Sequence, residues 1–391
     1  MPATKAIVAR EPKFTALNWA LEDVSVANEP GDSEVLVEML ASGLCHTDMV
    51  LSGVPQGMFG IEYPKVVGHE GSGYAVKVGK DVTDIQPGDP VLLSFYSCGK
   101  CDHCDAKHPS YCDDFAKENF VGRKGHVTSL STGANTEGDN KSGEEISARF
   151  FGQSSFAKYS IVDKSSIVNA KTLIENEEEL RLFAPLGCGF QTGMGAIENI
   201  AKPGPDDAVV IIGLGGVGLA SLMTASLRSC KAIIGVDRYP ARLDLAKSLG
   251  ATHGIDTSPD GFNLHNAILE IFPRGVSTVI DTTGVPVLIE DGLKSLRQRG
   301  TLVMIGVPPP QYELGVKAIP HINSGKAVVG CIEGDCTPSE AIPKLIKWYR
   351  EGRFPIDKLI KYFEANDFQQ ALAELHDGSV VKAVLSWKNI E

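Results

Sequence analysis

Between residue 1 and about 190 the apolar positions come in short runs, among them SEVLVEML, GSGYAVKVG and GDPVLLSFYS, each closed by Gly, Pro or Asp. Short β-branched runs ended by turn residues predict the strands of a β-rich domain. From about 205 the texture changes to continuous apolar runs, AVVIIG, KAIIGVD, VSTVIDTTG and GTLVMIG, separated by helix-length segments such as GVGLASLMTASLRS, PARLDLAKSLG and PVLIEDGLKSLRQRG. Strands apolar on both faces need cover on both sides, so this alternation predicts a doubly wound parallel sheet. Beyond about 332 there remain a helical segment, PSEAIPKLIKWYREGRF, and a strand-like KAVLSW, too little for a domain of its own. The predicted division is therefore 1–189, 190–332 and a segment 333–391 that packs back to complete the first domain. The stretch 122–149, rich in Gly, Ser, Thr, Asn and Glu, predicts a long surface loop.

Composition narrows the class. A chain of 391 residues is long enough for two domains, and 43% hydrophobic with 22% charged residues is ordinary for a soluble globular enzyme, here of the α/β class that the alternation predicts. No apolar run approaches the ~18 residues that span a bilayer, and the start MPATKAIVAREPK has neither a signal-peptide core nor a transit-peptide pattern. These features predict a cytoplasmic protein with no membrane partner. A net charge of -12 with no basic stripe makes nucleic acid a poor partner. The nine cysteines are odd in number and four crowd into fifteen residues, which points to metal or catalytic thiolates rather than disulfides.

Those four, Cys98, Cys101, Cys104 and Cys112 in CGKCDHCDAKHPSYC, are spaced to close a tetrahedral shell around zinc with no open position, the mark of a structural site. His103 and His108 lie in the same loop, but four sulfurs already suffice. Gly213, Gly215 and Gly218 in AVVIIGLGGVG follow a predicted strand and open a predicted helix, and Asp237 ends the next strand nineteen residues on. In that setting the glycines allow a pyrophosphate to approach a helix N-terminus, and the carboxylate can hold the adenosine ribose hydroxyls. A carboxylate there repels a 2′-phosphate and favours NAD over NADP; Arg238, immediately after it, tempers that preference. A third, dispersed signal is Cys45-His46-Thr47-Asp48, then Gly68-His69-Glu70, then Gly187-Cys188-Gly189. Each piece alone is compatible with a buried thiol or an ordinary histidine. Together they offer a Cys2His set with a fourth position for water or an alcohol oxygen, as a Lewis-acid zinc requires.

With these motifs assembled, the chain resembles the zinc-containing medium-chain alcohol dehydrogenases over essentially its whole length. GHEGSGYAVKVGKDV fits the family's zinc signature, and the four-cysteine lobe, GCGFQTGMGA and GLGGVG follow in the family's order. CHTD, SCGKCDHC, SYCDDF and FFGQSSFAKYS are most similar to the aryl (benzyl) alcohol dehydrogenase branch. The resemblance implies a GroES-like β-rich catalytic domain plus a doubly wound Rossmann domain, two zinc ions per chain and NAD. It implies that Cys45, His69 and Cys188 hold the catalytic zinc, that Glu70 is the carboxylate near it, that Asp48 orients His69, and that Thr47 accepts the alcohol's proton. His46 and Lys382 fall where basic residues meet the cofactor pyrophosphate, Thr192 near the nicotinamide, and Arg242 near the adenosine ribose; Gly216 and Val217 complete the phosphate turn. Phe95, Phe150 and Phe151 fall where the family builds its substrate pocket.

One position departs. Many relatives carry a proton-relaying histidine three residues after the threonine, and here that residue is Val50. The implied reaction is the interconversion of a primary alcohol, aryl or allylic, with its aldehyde. An S-(hydroxymethyl)glutathione dehydrogenase shares every motif, but basic residues expected around its acidic substrate are missing at the matching places. A redox-neutral zinc and NAD enzyme of the same fold is a further alternative, and a retired, purely binding protein is disfavoured by the intact Cys45, Thr47, His69, Cys188 set. The family's dinucleotide domains usually pair edge to edge, and the long 122–149 segment is similar to that of the dimeric relatives, so a homodimer is expected.

Overall fold

The computed structural model describes residues 3–13, 16–130 and 143–390. The chain divides into two compact units, one formed by 1–188, 337–347 and 356–391, the other by 189–336 and 348–355. Among the described residues no helix is long and apolar enough to cross a membrane.

The first unit is built on two β structures. Ala3–Lys13, Ala16–Val26, Arg123–Ser129, Glu145–Ala148 and Lys65–Val66 close a small barrel. A second sheet runs in the order Ile167–Asn169, Pro90–Leu93, Gly71–Val78, Glu34–Gly43, Lys382–Ser386, Ile360–Glu364, with Tyr159–Asp163 also pairing on Glu34–Gly43. The C-terminal strand enters antiparallel to Glu34–Gly43, Val384 opposite Gly43, and Val384 packs in one cluster with Ala41 and Ala184. KAVLSW, the last apolar run of the chain, thus satisfies its backbone on the strand that leads directly into Cys45.

The 122–149 stretch is not one loop. Its ends pair as antiparallel strands, Val127 opposite Ile146, while 131–142 lies outside the described residues. Val127 and Ile146 are buried, and two apolar residues placed among polar neighbours were enough to seat the strands on the barrel although they left no visible period.

In the second unit six strands are all parallel, in the order His253–Asp256, Ala232–Asp237, Ala208–Ile212, Val276–Asp281, Leu296–Met304, Ala327–Gly330. The continuous apolar runs fill its middle, where Val210, Ile212, Ile234, Val236, Val279 and Leu302 share one core. Helices Gly216–Leu227, Pro240–Ser248 and Pro286–Ser295 supply the covering layers between strands. The strand around Leu302 starts at Leu296, so LRQRG belongs to the sheet rather than to the preceding helix.

Candidate active site

Strand Glu34–Gly43 delivers the chain to Cys45, which stands at the N-cap of the short helix His46–Ser52. Asp48, one turn into that helix and fully buried, reaches back with one carboxylate oxygen to accept the Cys45 N–H at 3.0 Å. Its other oxygen accepts the Gly68 N–H at 3.0 Å and the His69 Nδ1–H at 2.8 Å. One carboxylate therefore fixes the backbone at Cys45, the backbone before His69, and the imidazole's tautomer, leaving the Nε2 lone pair of His69 to face away from it.

His69 Nε2 is buried and has no hydrogen-bond partner among the described residues. Beside it lie the sulfurs of Cys45 and Cys188, 4.0 Å apart, and the three donor atoms all fall within 4.8 Å of one another. An orphaned imidazole nitrogen in a dry interior costs free energy, and here it converges with two sulfurs on a common point. The Cys188 sulfur, followed by the charges of His69 and Lys382, holds the Cys45 thiol well below its ordinary range, the direction a metal ligand needs. This donor set fits zinc in a three-protein-ligand site with a fourth position open.

Glu70 is fully buried next door. Its carboxylate takes both contacts of Lys382 Nζ, at 2.9 and 2.8 Å, and Lys382 also donates to Leu44 O at 3.1 Å. Burial pushes Glu70 up to about 7 against the pull of Lys382. Space for this pair depends on Gly43, since a Cβ there would lie 2.0 Å from Glu70 Oε2. Lys382, expected to meet a cofactor pyrophosphate, commits its described contacts to Glu70 and the Leu44 carbonyl. His46 is exposed; Thr47 and Val50 are half-buried.

Aromatic rings enclose the imidazole. Phe151 stacks on His69 at 4.4 Å and Phe150 meets it edge-on at 5.6 Å. Phe95 is connected less directly, through Phe115, which contacts both Phe95 and Phe151. Phe120 also packs on Phe151 and Phe115. Phe115 and Phe120 were not legible as site residues, because nothing in SYCDDFAKENF distinguishes them from core residues.

In the lobe, Cys98, Cys101, Cys104 and Cys112 bring their four sulfurs within 4.8 Å of one another. Cys101 and Cys104 are 3.5 Å apart, and the Cys98 N–H already points to the Cys112 sulfur at 3.3 Å. With four thiols and no open position the arrangement fits a structural zinc.

The family models match in the same order as these features. Residues 31–172 match the alcohol dehydrogenase GroES-like domain and residues 216–351 the zinc-binding dehydrogenase domain. The geraniol dehydrogenase of Castellaniella defragrans is 34% identical over 94% of this chain and 94% of its own. The chain belongs to the zinc-dependent medium-chain alcohol dehydrogenases. Among solved structures, an alcohol dehydrogenase zinc-binding domain protein from Burkholderia ambifaria superimposes with a TM-score of 0.87 at 33% identity, over 98% of this chain and 99% of that one. The benzyl alcohol dehydrogenase of Acinetobacter calcoaceticus gives 0.85 at 33% identity, over 99% of each.

In the dinucleotide-binding unit of this dehydrogenase, Gly213 has φ 87° and a Cβ on Gly218 would lie 1.8 Å from Gly213 O, so both glycines are required by the turn itself. Gly215 is different: apart from its own chain neighbours, no atom of the described residues lies within 4 Å of where its Cβ would be. That open face at the start of helix Gly216–Leu227 fits a dinucleotide pyrophosphate. Gly216 and Val217 form the helix's first turn, and Ser221 Oγ ties it to Gly193 O at 3.0 Å, next to buried Thr192. Asp237 accepts the Leu214 N–H at 2.8 Å with one carboxylate oxygen and the Tyr239 N–H at 3.0 Å with the other, which fixes its carboxylate beside the turn. Arg242 stands 4.0 Å from that carboxylate, and Arg238 and Arg242 both lie over the Tyr239 ring, at 4.8 and 5.1 Å.

Proposed function

We propose that this dehydrogenase interconverts primary aryl or allylic alcohols and their aldehydes with NAD(H), using Cys45, His69 and Cys188 to hold the catalytic zinc. The observation that carries the reading is the buried Nε2 of His69, without a hydrogen-bond partner among the described residues, converging with two cysteine sulfurs and flanked by the rings of Phe150 and Phe151. Bound there, zinc supplies a Lewis acid for the alcohol or aldehyde oxygen, and the dinucleotide supplies or accepts the hydride.

The chain's own residues do the rest. Asp48 keeps Nε2 available for ligation. Thr47, half-buried on the first turn after Cys45, accepts the proton that leaves the alcohol. Val50 cannot pass that proton on, so it exits to water beside the exposed His46. Glu70, neutralised by Lys382, adds little net charge to the centre. The aromatic rings supply a flat apolar surface suited to an aryl or allylic group; the names of the geraniol and benzyl alcohol dehydrogenases among the relatives support the same substrate class. Asp237 selects NAD through the ribose hydroxyls.

We also read the chain as a homodimer formed along the Ala327–Gly330 edge of the parallel sheet, where the adjoining Ile319 and Ile322 are 73% and 76% exposed.

The deciding experiment follows absorbance at 340 nm with NAD and a panel of benzylic, allylic, short aliphatic and glutathione-adduct alcohols, and with the aldehydes and NADH. Turnover is expected with benzylic and allylic alcohols foremost. Turnover confined to the glutathione adduct, or none in either direction, overturns the reading.

A further inference from the structure

Around Phe150 and Phe151 the chain makes an unusual turn. Arg149, Phe151, Gly152 and Ser154 have φ of 65°, 53°, 71° and 51°. Backbone held in this region persists only where surrounding contacts over-determine it, and such strain clusters at functional sites. The contacts are present: buried Arg149 pairs with Glu34 at 2.8 Å and Asp163 at 2.6 Å, and Ser154 Oγ donates to Val66 O at 2.6 Å.

The turn delivers one fully buried amide, Gln153, whose polar atoms all face the metal-ligand segments. Its Nε2 donates to His69 O at 2.9 Å and to Ser94 O at 2.8 Å, and its Oε1 accepts the Gly71 N–H at 3.1 Å. Ser94 in turn donates its hydroxyl to Gly187 O at 2.6 Å, the carbonyl immediately before Cys188. A single side chain therefore links the backbone on both sides of Glu70 to the strand end that holds the approach to Cys188. Asp48 governs His69 from the Cys45 side, through the Cys45 N–H, the Gly68 N–H and the imidazole itself.

We propose that Gln153 is a positioning residue for the catalytic metal: acting through His69 O and through Ser94 and Gly187, it sets the separation of the His69 and Cys188 donor atoms and so the strength and geometry of the metal's hold. This rests on the reading that Cys45, His69 and Cys188 bind the catalytic zinc. Metal ligands depend on their outer partners, and losing such a partner typically costs about 10–100-fold in affinity. Buried amides that satisfy two carbonyls and an N–H at once cannot be replaced without leaving some of them unmet.

The test uses the full-length holoenzyme and three variants. Gln153→Met keeps the length and loses all three hydrogen bonds. Gln153→Glu keeps the acceptor for Gly71 but turns a carboxylate toward two carbonyls. Ser94→Ala removes the hydroxyl that bonds Gly187 O and is the smallest change of the three, so it carries the test if either Gln153 variant fails to fold. Zinc release to a chromophoric chelator is followed together with the visible spectrum of enzyme carrying cobalt in the catalytic site.

The first of the two zinc ions is expected to leave about tenfold faster or more from Gln153→Met, faster still from Gln153→Glu, and measurably faster from Ser94→Ala, while the four-cysteine zinc leaves at the wild-type rate. The cobalt bands should shift in all three. Wild-type release rates and spectra in the folded variants, or equal acceleration of both zinc ions in step with a loss of thermal stability, overturns the proposal. Wild-type enzyme holding one zinc per chain overturns the site reading and this proposal with it, whereas two zinc ions with unaltered release overturns this proposal alone.

Discussion

Asp48 offers the sharpest test of how the centre is organised, because one small substitution disturbs three bonds in a known way. Asp48→Asn replaces a carboxylate oxygen with an NH2 group. If the remaining oxygen stands where Oδ1 was, Gly68 N–H and His69 Nδ1–H keep their acceptor and the new NH2 confronts the Cys45 N–H; if the amide turns over, His69 and Gly68 lose theirs. Either way a buried donor goes unmet, at a cost of about 1–3 kcal/mol. The carboxylate charge behind the imidazole is lost as well, which should weaken zinc binding by about 10–100-fold, or roughly 1.4–2.8 kcal/mol. The two figures agree in size. Dialysis against a graded chelator series, with metal counted by atomic emission, should show the catalytic zinc leaving at about tenfold lower chelator strength or less, while the four-cysteine zinc stays as an internal control. Activity at saturating NAD should fall by at least as much. A variant with unchanged zinc retention and turnover would show that His69 is oriented by something other than Asp48.

Four further outcomes follow from the same contacts. Phe151→Ala removes a ring buried against His69, Phe115, Phe120 and Phe150; it should cost about 3–5 kcal/mol by denaturant unfolding and lower the preference for benzyl alcohol over ethanol about tenfold, and an unchanged preference refutes the aromatic-wall reading. Lys65 is fully buried beside the Phe150 ring with Val121 O as acceptor, and burial pushes it down to about 7 from an ordinary value near 10.5. The unfolded chain therefore holds that proton more tightly, so the destabilisation is complete below about pH 7 and fades as pH rises toward 10. Lys65→Met should raise stability at pH 6.5 by on the order of 2 kcal/mol and by little at pH 10, Val121 O keeping Ser147 Oγ at 3.2 Å; a pH-independent change contradicts the assignment. Asp237→Gly should raise the KM for NAD about tenfold or more and open the site to NADP beside Arg238, and unchanged cofactor kinetics would remove Asp237 from the ribose. Ile319→Asp with Ile322→Asp should shift the sedimentation coefficient to that of a monomer; a persistent dimer places the interface elsewhere.

Much of this was written locally. The spacing of Cys98, Cys101, Cys104 and Cys112, and the strand, glycine turn and acidic residue from Ala208 to Asp237, are short-range patterns whose chemistry depends on a few neighbouring residues, so they survive without a fold. Continuous apolar strands likewise announced the core of the parallel sheet. Its outer members did not: His253–Asp256 and Ala327–Gly330 are four-residue strands with half-exposed positions, too short to show a period. Leu296–Arg299 consists of good helix formers, yet Leu296 pairs with Val276 and the chain bulges before pairing resumes at Thr301, which puts the stretch in the sheet.

The tertiary structure decided everything that needed distant residues side by side. Arg149 would pass for a surface charge, yet it is buried between Glu34 and Asp163, 115 and 14 positions away. Gln153 is one polar residue in a run of small ones until the fold sets it on His69, Gly71 and Ser94. Lys382 finds Glu70, 312 positions away, because its strand pairs with Glu34–Gly43. A sequence names the donors that zinc chemistry requires, since those are set by element and spacing. Which buried groups aim and neutralise them depends on sheet pairing across hundreds of residues, and that is settled only when the chain closes on itself.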